Sequence, residues 1–163
     1  MIVVVADTSP LNYLIQINCD HALPALYERV LVPPAVVQEL ERASAVATVR
    51  AWLSRMPGWI VVRELRLTPE DPALAALDPG ERQAIQLARQ ERADLVLMDE
   101  RLGVRVARAQ GLVVTGTLGV LLQATARGFV NLDKALRDLE ATDFRCSPRL
   151  IEEVRLRARQ RSS

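Results

Sequence analysis

The chain has 163 residues, enough for one domain around a single hydrophobic core. Hydrophobic residues make up 50% and charged residues 25% of it, a composition that excludes disordered, collagen-like and coiled-coil chains. The formal charge is +1, so any anionic partner would have to be met by a local basic patch. The chain has no apolar stretch of about 18 residues and no disulfide or zinc spacing around its two cysteines, which predicts a cytoplasmic protein without a membrane span.

Five apolar runs without polar alternation predict strands that are buried on both faces of a sheet. They cover residues 2–6, 30–32, 60–62, 95–98 and 112–114. Helix signals stand between the runs, so strands and helices alternate along the chain. This order predicts an α/β sandwich with a mostly parallel central sheet and right-handed crossovers.

Capping residues, prolines and glycines predict where the helices begin and end. Asp20 is expected to cap a short helix that reaches Tyr27, and Pro34 to open one through Leu40. Asp78 is expected to cap a helix that reaches about residue 91. The remaining helices are predicted over about 101–110, ending at Gly111, over 117–127, ending at Gly128, from Asn131 to about 141, and over 148–159.

Two acidic residues directly follow the most apolar predicted strands. Asp7 comes after residues 2–6, and Asp99 comes after residues 95–98 with Glu100 beside it. In open α/β sheets, ligands bind beyond the carboxyl ends of the strands, so both acids are candidates for a site there. For either acid alone, the alternative is a helix cap, with Asp7 capping toward Pro10 and Asp99 toward Leu102.

Two further acids are predicted on helices. Glu81 shares a helix face with Ala84 and Ile85, so its carboxylate points inward, although a capping box with Asp78 would explain it equally well. Glu39 lies at the margin of the apolar stripe of its own helix, where a solvated flank residue is the alternative.

Taken together, the four acids indicate a cation site, because a buried carboxylate is unfavourable unless it is paired or binds a metal. No lysine or histidine is available nearby to pair them. A site of carboxylate oxygens without cysteine suits Mg²⁺ or Mn²⁺ rather than zinc. Such a site supports phosphoryl transfer, in which the metal activates water and stabilises the leaving oxygen.

The residues around these acids resemble the successive motifs of PIN domains, in the same order over about residues 1–130. They are Asp7-Thr8-Ser9, the stretch from Pro33 to Leu40, Leu77-Asp78-Pro79-Gly80-Glu81 followed by Ala84-Ile85, and Leu97-Met98-Asp99-Glu100 followed by Arg105-Val106-Ala107. The stretch from Gly116 to Leu121 resembles one bacterial and archaeal branch of the family.

PIN domains are metal-dependent, single-strand ribonucleases with a three-layer α/β/α sandwich fold, and many small prokaryotic ones are VapC-like toxins held by an antitoxin. The resemblance implies one PIN-like domain over residues 1–163, with the motifs in about 1–130 and C-terminal helices over about 131–160. It also implies that Asp7, Glu39, Glu81 and Asp99 form the catalytic cluster that holds Mg²⁺ or Mn²⁺. Glu100 stands where aspartate is expected, and Thr117 stands near where some PIN domains supply a further acid, so the number of metal ions stays open.

The side chains that would meet the substrate carry a weaker signal. Arg101, Arg105 and Arg108 recur at helical spacing after Asp99 and suit RNA phosphates, with a solvated helix face as the alternative. The hydroxyls of Thr8 and Ser9 suit a phosphate or a carboxylate near the metal, with a helix cap as the alternative.

The last predicted helix has an apolar stripe of Leu150, Ile151, Val154 and Ala158 that is expected to pack on the core. Alternatively, this stripe or the one with Trp52 and Leu53 forms a homodimer or antitoxin surface. The leading functional prediction is a metal-dependent endoribonuclease that acts on single-stranded RNA. If an antitoxin exists, this enzyme is expected to be the toxin of the pair. The alternatives are a non-catalytic binding module that retains the acids as caps, and a metal-dependent DNA nuclease.

Overall fold

The structure, a computed structural model, describes residues 2–43 and 46–162. Within them, five strands form one sheet in the order β3-β2-β1-β4-β5, and every neighbouring pair is parallel. The strands are β1 (Val4–Ala6), β2 (Val30–Val32), β3 (Ile60–Val62), β4 (Leu95–Leu97) and β5 (Val114–Thr115). The five predicted strands are confirmed, with small shifts in the bounds of the first, fourth and fifth. The prediction that all of them are buried on both faces holds for β1, β2 and β4 but is wrong for β3 and β5, which lie at the sheet edges and are partly exposed.

Helices connect the strands and follow the last of them. They are α1 (Thr8–Gln16), α2 (Ala22–Tyr27), α3 (Pro34–Arg42), α4 (Ala47–Ser54), α5 (Pro79–Gln90), α6 (Arg101–Ala109), α7 (Thr117–Ala126), α8 (Leu132–Glu140) and α9 (Pro148–Ser162). A 3₁₀ turn at Pro72–Leu74 precedes α5. No helix of the described ranges has the length and apolar character needed to cross a membrane.

Alternate residues of each strand face opposite sides of the sheet, and two separate buried clusters result. Val4 and Ala6 pack in one cluster with side chains of α1 to α4 and α7 to α9. Val5 and Val96 pack in the other with side chains of α5 and α6. The predicted three-layer α/β/α sandwich is therefore confirmed.

Several predicted helix ends are also confirmed. Asp78 Oδ1 accepts a hydrogen bond from Glu81 N at the start of α5, and Asn131 Oδ1 accepts one from Lys134 N at the start of α8. Gly111 and Gly128 follow α6 and α7 with φ of 82° and 76°, the left-handed conformation that glycine adopts without strain.

The predicted side-chain cap at Asp20 is wrong. His21 occupies the N-cap position of α2 and no side chain caps this helix. The carboxylate of Asp20 instead accepts a hydrogen bond from Trp52 Nε1 at 3.1 Å, which ties it to α4. The sequence pattern predicts no helix at α4, and therefore does not indicate that Trp52 of this helix is the hydrogen-bond partner of Asp20.

The C-terminal helix packs on the core as its stripe predicts. Ile151 and Val154 are buried in the same cluster as α7, and Ala158 packs against it, whereas Leu150 is exposed. Trp52 and Leu53 of α4 are likewise half-buried against this cluster. These stripes are therefore used mainly within the protein.

The strand order places the topological switch point of the sheet between β1 and β4. The chain passes from β1 outward to β2 and β3, then returns to β4 and continues to β5. The backbone N–H of Asp7 donates to the carbonyl of Leu97 at 2.8 Å, so the carboxyl ends of β1 and β4 lie side by side. In folds of this kind, the crevice at that point is where ligands bind.

Candidate active site

Asp7 lies in this crevice and is only 4% exposed. It occupies the N-cap position of α1, yet its side chain makes no capping hydrogen bond. Its Oδ1 is buried without any hydrogen-bond partner among the described residues. Helix capping therefore does not explain Asp7, and a buried carboxylate oxygen without a partner is unfavourable by itself.

The surroundings of Asp7 oppose its ionisation. Burial, as the largest cause, raises its pKa from 3.8 to about 8. The neighbouring carboxylates of Asp78, Glu81 and Glu39 raise the pKa further, while the backbone of Thr8 acts in the opposite direction. Asp7 therefore belongs to an acidic cluster in which the neighbouring carboxylates make its ionisation more difficult.

Glu81 is the second strongly buried acid of this cluster, at 6% exposure. It stands in the first turn of α5, and a Cβ at Gly103 of α6 would lie 3.4 Å from its carboxylate carbon, so the two helices approach closely here. Burial and then the nearby Asp78 carboxylate raise the pKa of Glu81 from 4.5 to about 7. Half of the capping-box alternative is confirmed, because Asp78 caps α5 at the backbone of Glu81.

Glu39 of α3 is half-buried and is held from two sides. Its Oε2 accepts a hydrogen bond from the hydroxyl of Thr8, and its Oε1 accepts one from the backbone of Gly80 at 2.9 Å. These contacts join α3 to the starts of α1 and α5. The alternative that Glu39 is merely a solvated flank residue is therefore wrong.

The approach of Glu39 to the backbone of α5 requires glycine at position 80. A Cβ there would meet both carboxylate oxygens of Glu39, with Oε1 at 2.7 Å. We expect Gly80→Ala to displace the carboxylate of Glu39 and to weaken Mn²⁺ binding, measured by calorimetry, about tenfold. Gly58→Ala is the matched control, since a Cβ at Gly58 meets nothing within 4 Å. Equal Mn²⁺ affinity in the two variants would show that the position of Glu39 is irrelevant to the site.

Asp99 follows β4 and is held by three hydrogen bonds. Its Oδ1 accepts from the backbone of Thr117 at 2.7 Å, and its Oδ2 accepts from the hydroxyls of Thr117 at 2.7 Å and Ser9 at 2.9 Å. Asp99 thus caps α7, whereas Glu100 is the N-cap of α6 and makes no side-chain cap there. The predicted capping of α6 toward Leu102 is wrong, because the carboxylate turns to the neighbouring α7.

Thr117 is a functional residue whose role sequence reasoning missed. It is fully buried, and both its N–H and its hydroxyl donate to Asp99. Gly116 beside it admits the carboxylate, since a Cβ there would lie 2.6 Å from Asp99 Oδ1. The small pair Gly116-Thr117 at a helix start was the available signal, but its partner is 18 residues away in the sequence.

The structure gives each predicted site residue a definite place. Thr8 and Ser9 donate to Glu39 and Asp99, so their hydroxyls orient carboxylates. Asp7, Glu81 and Glu39 lie near one another, and Asp99 adjoins them at the end of the next strand. Arg101 and Arg105 are exposed on α6.

The donor set suits a divalent cation. It consists of carboxylate oxygens, it includes the unpartnered Oδ1 of Asp7, and it carries uncompensated negative charge. Within residues 2–43 and 46–162, no three acidic, histidine or cysteine side chains are already close enough to share an ion. A bound cation would offset the burial and, secondarily, the mutual repulsion that raise the pKa values of Asp7 and Glu81.

Together the fold and the site define an open, parallel α/β sandwich with an acidic cluster at its switch point. A family model described as PIN domain matches residues 3–160, and the chain belongs to the PIN-domain family. PIN domains are usually nucleases and generally use divalent metal ions.

A solved structure supports the same fold. The chain is similar to a PilT N-terminus domain protein from the hyperthermophilic archaeon Sulfolobus solfataricus P2, with a TM-score of 0.54 and 16% identity. The similarity covers 76% of this chain and 93% of the archaeal one. No curated protein matched the sequence.

Proposed function

We propose that this protein is a Mg²⁺- or Mn²⁺-dependent endoribonuclease that cleaves single-stranded RNA. The observation that carries the proposal is the state of Asp7. Its carboxylate is buried at the switch point of the sheet, has an unpartnered oxygen, and lies near the carboxylates of Asp78, Glu81 and Glu39. Such an arrangement is unfavourable in itself and becomes favourable when a cation is bound. Membership of a family of nucleases supports phosphodiester hydrolysis as the use of that cation.

In this proposal, Asp7 and Asp99 are the direct ligands, and Glu39 and Glu81 complete the shell directly or through water. A bound divalent ion supplies a polarised water and a positive charge beside the leaving oxygen. The chain's hydroxyls keep the ligands in place: Thr8 orients Glu39, while Ser9 and Thr117 orient Asp99. These hydrogen bonds hold the carboxylates of Glu39 and Asp99 in single orientations before substrate binds.

A VapC-like toxin role, inhibition by an antitoxin and a homodimer belong to the same proposal. They are supported by the family and by the motifs at residues 77–81 and 116–121, which resemble one prokaryotic branch. The substrate remains single-stranded RNA in this proposal, and a metal-dependent DNA nuclease is the competing possibility.

The proposal is tested by titrating Mn²⁺ into the wild-type protein and into Asp99→Asn, measuring binding by calorimetry and cleavage of a mixed single-stranded RNA pool. We expect the variant to lose at least about 100-fold in cleavage and to bind Mn²⁺ much more weakly, because a metal ligand is removed. Asn retains an oxygen that can accept from Thr117, so α7 stays capped. Asp138→Asn is the matched control, since Asp138 is exposed on α8 and pairs with Lys134.

Each other outcome has a definite meaning. A wild type that neither binds the ion nor cuts would support the non-catalytic module, whose RNA retention would fall with salt. Preferred cleavage of DNA, when both nucleic acids of one sequence compete, would favour the DNA nuclease. Cleavage that persists in Asp99→Asn would remove Asp99 from the site.

A further inference from the structure

A long groove of about 1010 Å³ begins at Asp99 and Ser9 and runs between α6 and α9. Four arginines line it and give it its name here, the arginine groove. They are Arg101 and Arg108 of α6, Arg145 in the segment before α9, and Arg157 of α9. Its volume is at the upper limit of pockets that bind small molecules, which suits an extended ligand better.

The four arginines are exposed, and among the described residues none of them forms an ion pair. Other arginines of the same helix behave differently. Arg149 pairs with Glu153, and Arg155 contacts Glu152 and Asp133. On α9, Arg149 and Arg155 are therefore paired locally, whereas Arg157, which lines the groove, and Arg159, which lines another pocket, form no ion pair among the described residues.

The wall formed by residues 143–147 is fixed against α1. The hydroxyl of Tyr13 donates to Asp143 Oδ1 at 2.8 Å, and the rings of Tyr13 and Phe144 meet edge to face at 5.0 Å between centroids. These contacts occupy Asp143, one of the acids along the groove, and hold the adjoining Arg145 near the opening. Glu100 is the other exposed acid of the lining, and it lies at the end nearest the carboxylate cluster.

We propose that the arginine groove binds the sugar-phosphate backbone of the substrate strand on one side of the cleaved bond. This inference rests on the proposed function and adds α9 and residues 143–147 to the substrate-binding surface. Planar guanidinium groups pair with two phosphate oxygens at once, and unpaired ones on both walls fit a backbone with one charge per nucleotide. Asp99 and Ser9 line the groove, so a strand that lies in it reaches the carboxylate of Asp99.

Sequence reasoning pointed to only part of this surface. Arg101 and Arg108, two of the three arginines singled out from the sequence, line the groove, while Arg105 does not, and the contact of all three with RNA stays a prediction. Arg145 and Arg157 were not singled out, because they lie more than 40 residues beyond Asp99 and reach it only through the packing of α9 on α7.

The test compares Arg157→Glu with Arg159→Glu, which carries the same charge change on the same helix. Arg159 is exposed but lines a different pocket, between α8 and α9. Binding of a fluorescein-labelled oligouridylate is followed by anisotropy in EDTA, so that the strand stays intact, and at several salt concentrations. Cleavage of the same strand in Mn²⁺ gives kcat and KM, and thermal unfolding checks the fold of both variants.

We expect Arg157→Glu to weaken binding about fivefold or more at ~0.1 M salt and to lower the salt slope by about 0.7, the contribution of one phosphate contact to a single strand. KM should rise with little change in kcat, and Arg145→Glu should behave in the same way. Arg159→Glu should stay within about twofold of the wild type, as its side chain lies outside the groove.

The outcomes separate this inference from the proposed function. Normal cleavage in the wild type with equal effects of Arg157→Glu and Arg159→Glu would overturn the groove and leave the nuclease in place. Salt-dependent binding that is lost in Arg157→Glu but not in Arg159→Glu, without cleavage in the wild type, would sustain the groove and overturn the nuclease. A wild type without salt-dependent binding would overturn the groove.

Discussion

Replacing Asp7 by asparagine should raise the thermal stability of the metal-free protein near neutral pH and abolish cleavage. The substitution replaces a buried acid, whose ionisation the folded site opposes, by a neutral amide of the same shape, and Asp7 is 4% exposed with an unpartnered oxygen. We expect the melting temperature in EDTA at about pH 8 to rise by about 5 °C or more. Cleavage in Mn²⁺ should fall at least about 100-fold, because a ligand is lost.

A substitution that raises stability and lowers activity identifies a residue that serves function while it destabilises the metal-free protein. The measurements are differential scanning calorimetry in EDTA and cleavage of single-stranded RNA with Mn²⁺. Asp138→Asn is the control for a removed surface charge, and both its melting temperature and its activity should stay near the wild-type values. Wild-type cleavage in Asp7→Asn would exclude Asp7 as a ligand, and a lower melting temperature would show that its carboxylate is satisfied after all.

A second large effect concerns pH. The pKa values of Asp7 and Glu81 are raised in the folded protein from 3.8 and 4.5 to about 8 and 7. An acid whose folded pKa is raised binds its proton more tightly in the native state, so its contribution to stability is complete below the unfolded pKa and disappears as the pH rises through the folded one. The metal-free protein should therefore lose stability between about pH 4 and pH 8.

A divalent cation should reverse this trend. At about pH 5.5, protons occupy the two carboxyls and compete with the ion, whereas at about pH 8 the ion meets deprotonated ligands. The rise in melting temperature that Mn²⁺ causes should thus be larger at the higher pH, by about 5 °C. Asp7→Asn should flatten both the pH dependence in EDTA and the response to Mn²⁺. A response to Mn²⁺ that is equal at both pH values would contradict a cation bound by these two acids.

The fold was predictable because its determinants are local. Apolar runs such as residues 30–32 and 60–62 favour strands, and they became β2 and β3 with those bounds, although β3 lies at the sheet edge and its Val62 is exposed. Caps such as Asp78 and Asn131 act over three residues, so the sequence contains both partners of each hydrogen bond. Helix α4 was not predicted because its N-cap position is held by Val46, which offers no side-chain cap, although Val49, Trp52 and Leu53 have helical spacing.

The four candidate acids could be singled out from the sequence, but their contacts could not be predicted. Asp99 caps α7 and not α6, the next helix in the chain. The reason is that β5 pairs with β4, and α7 begins directly after β5, beside the carboxyl end of β4. That choice depends on the packing of distant segments, as does the hydrogen bond from Thr8 to Glu39. The arginine groove, too, exists only once α9 has folded back onto α7.

The two acids after β1 and β4 would fare differently in a descendant of this protein that had stopped cutting nucleic acid. Asp99 would persist, because α7 still needs its carboxylate at Thr117 and Ser9. Asp7 has no such structural role, because its Oδ1 has no hydrogen-bond partner among the described residues. We expect mutation to remove it, since Asp7→Asn should make the metal-free protein more stable. If the proposed function holds, we therefore expect PIN domains that have lost cleavage to retain an aspartate at the position of Asp99 and to lose the one at the position of Asp7.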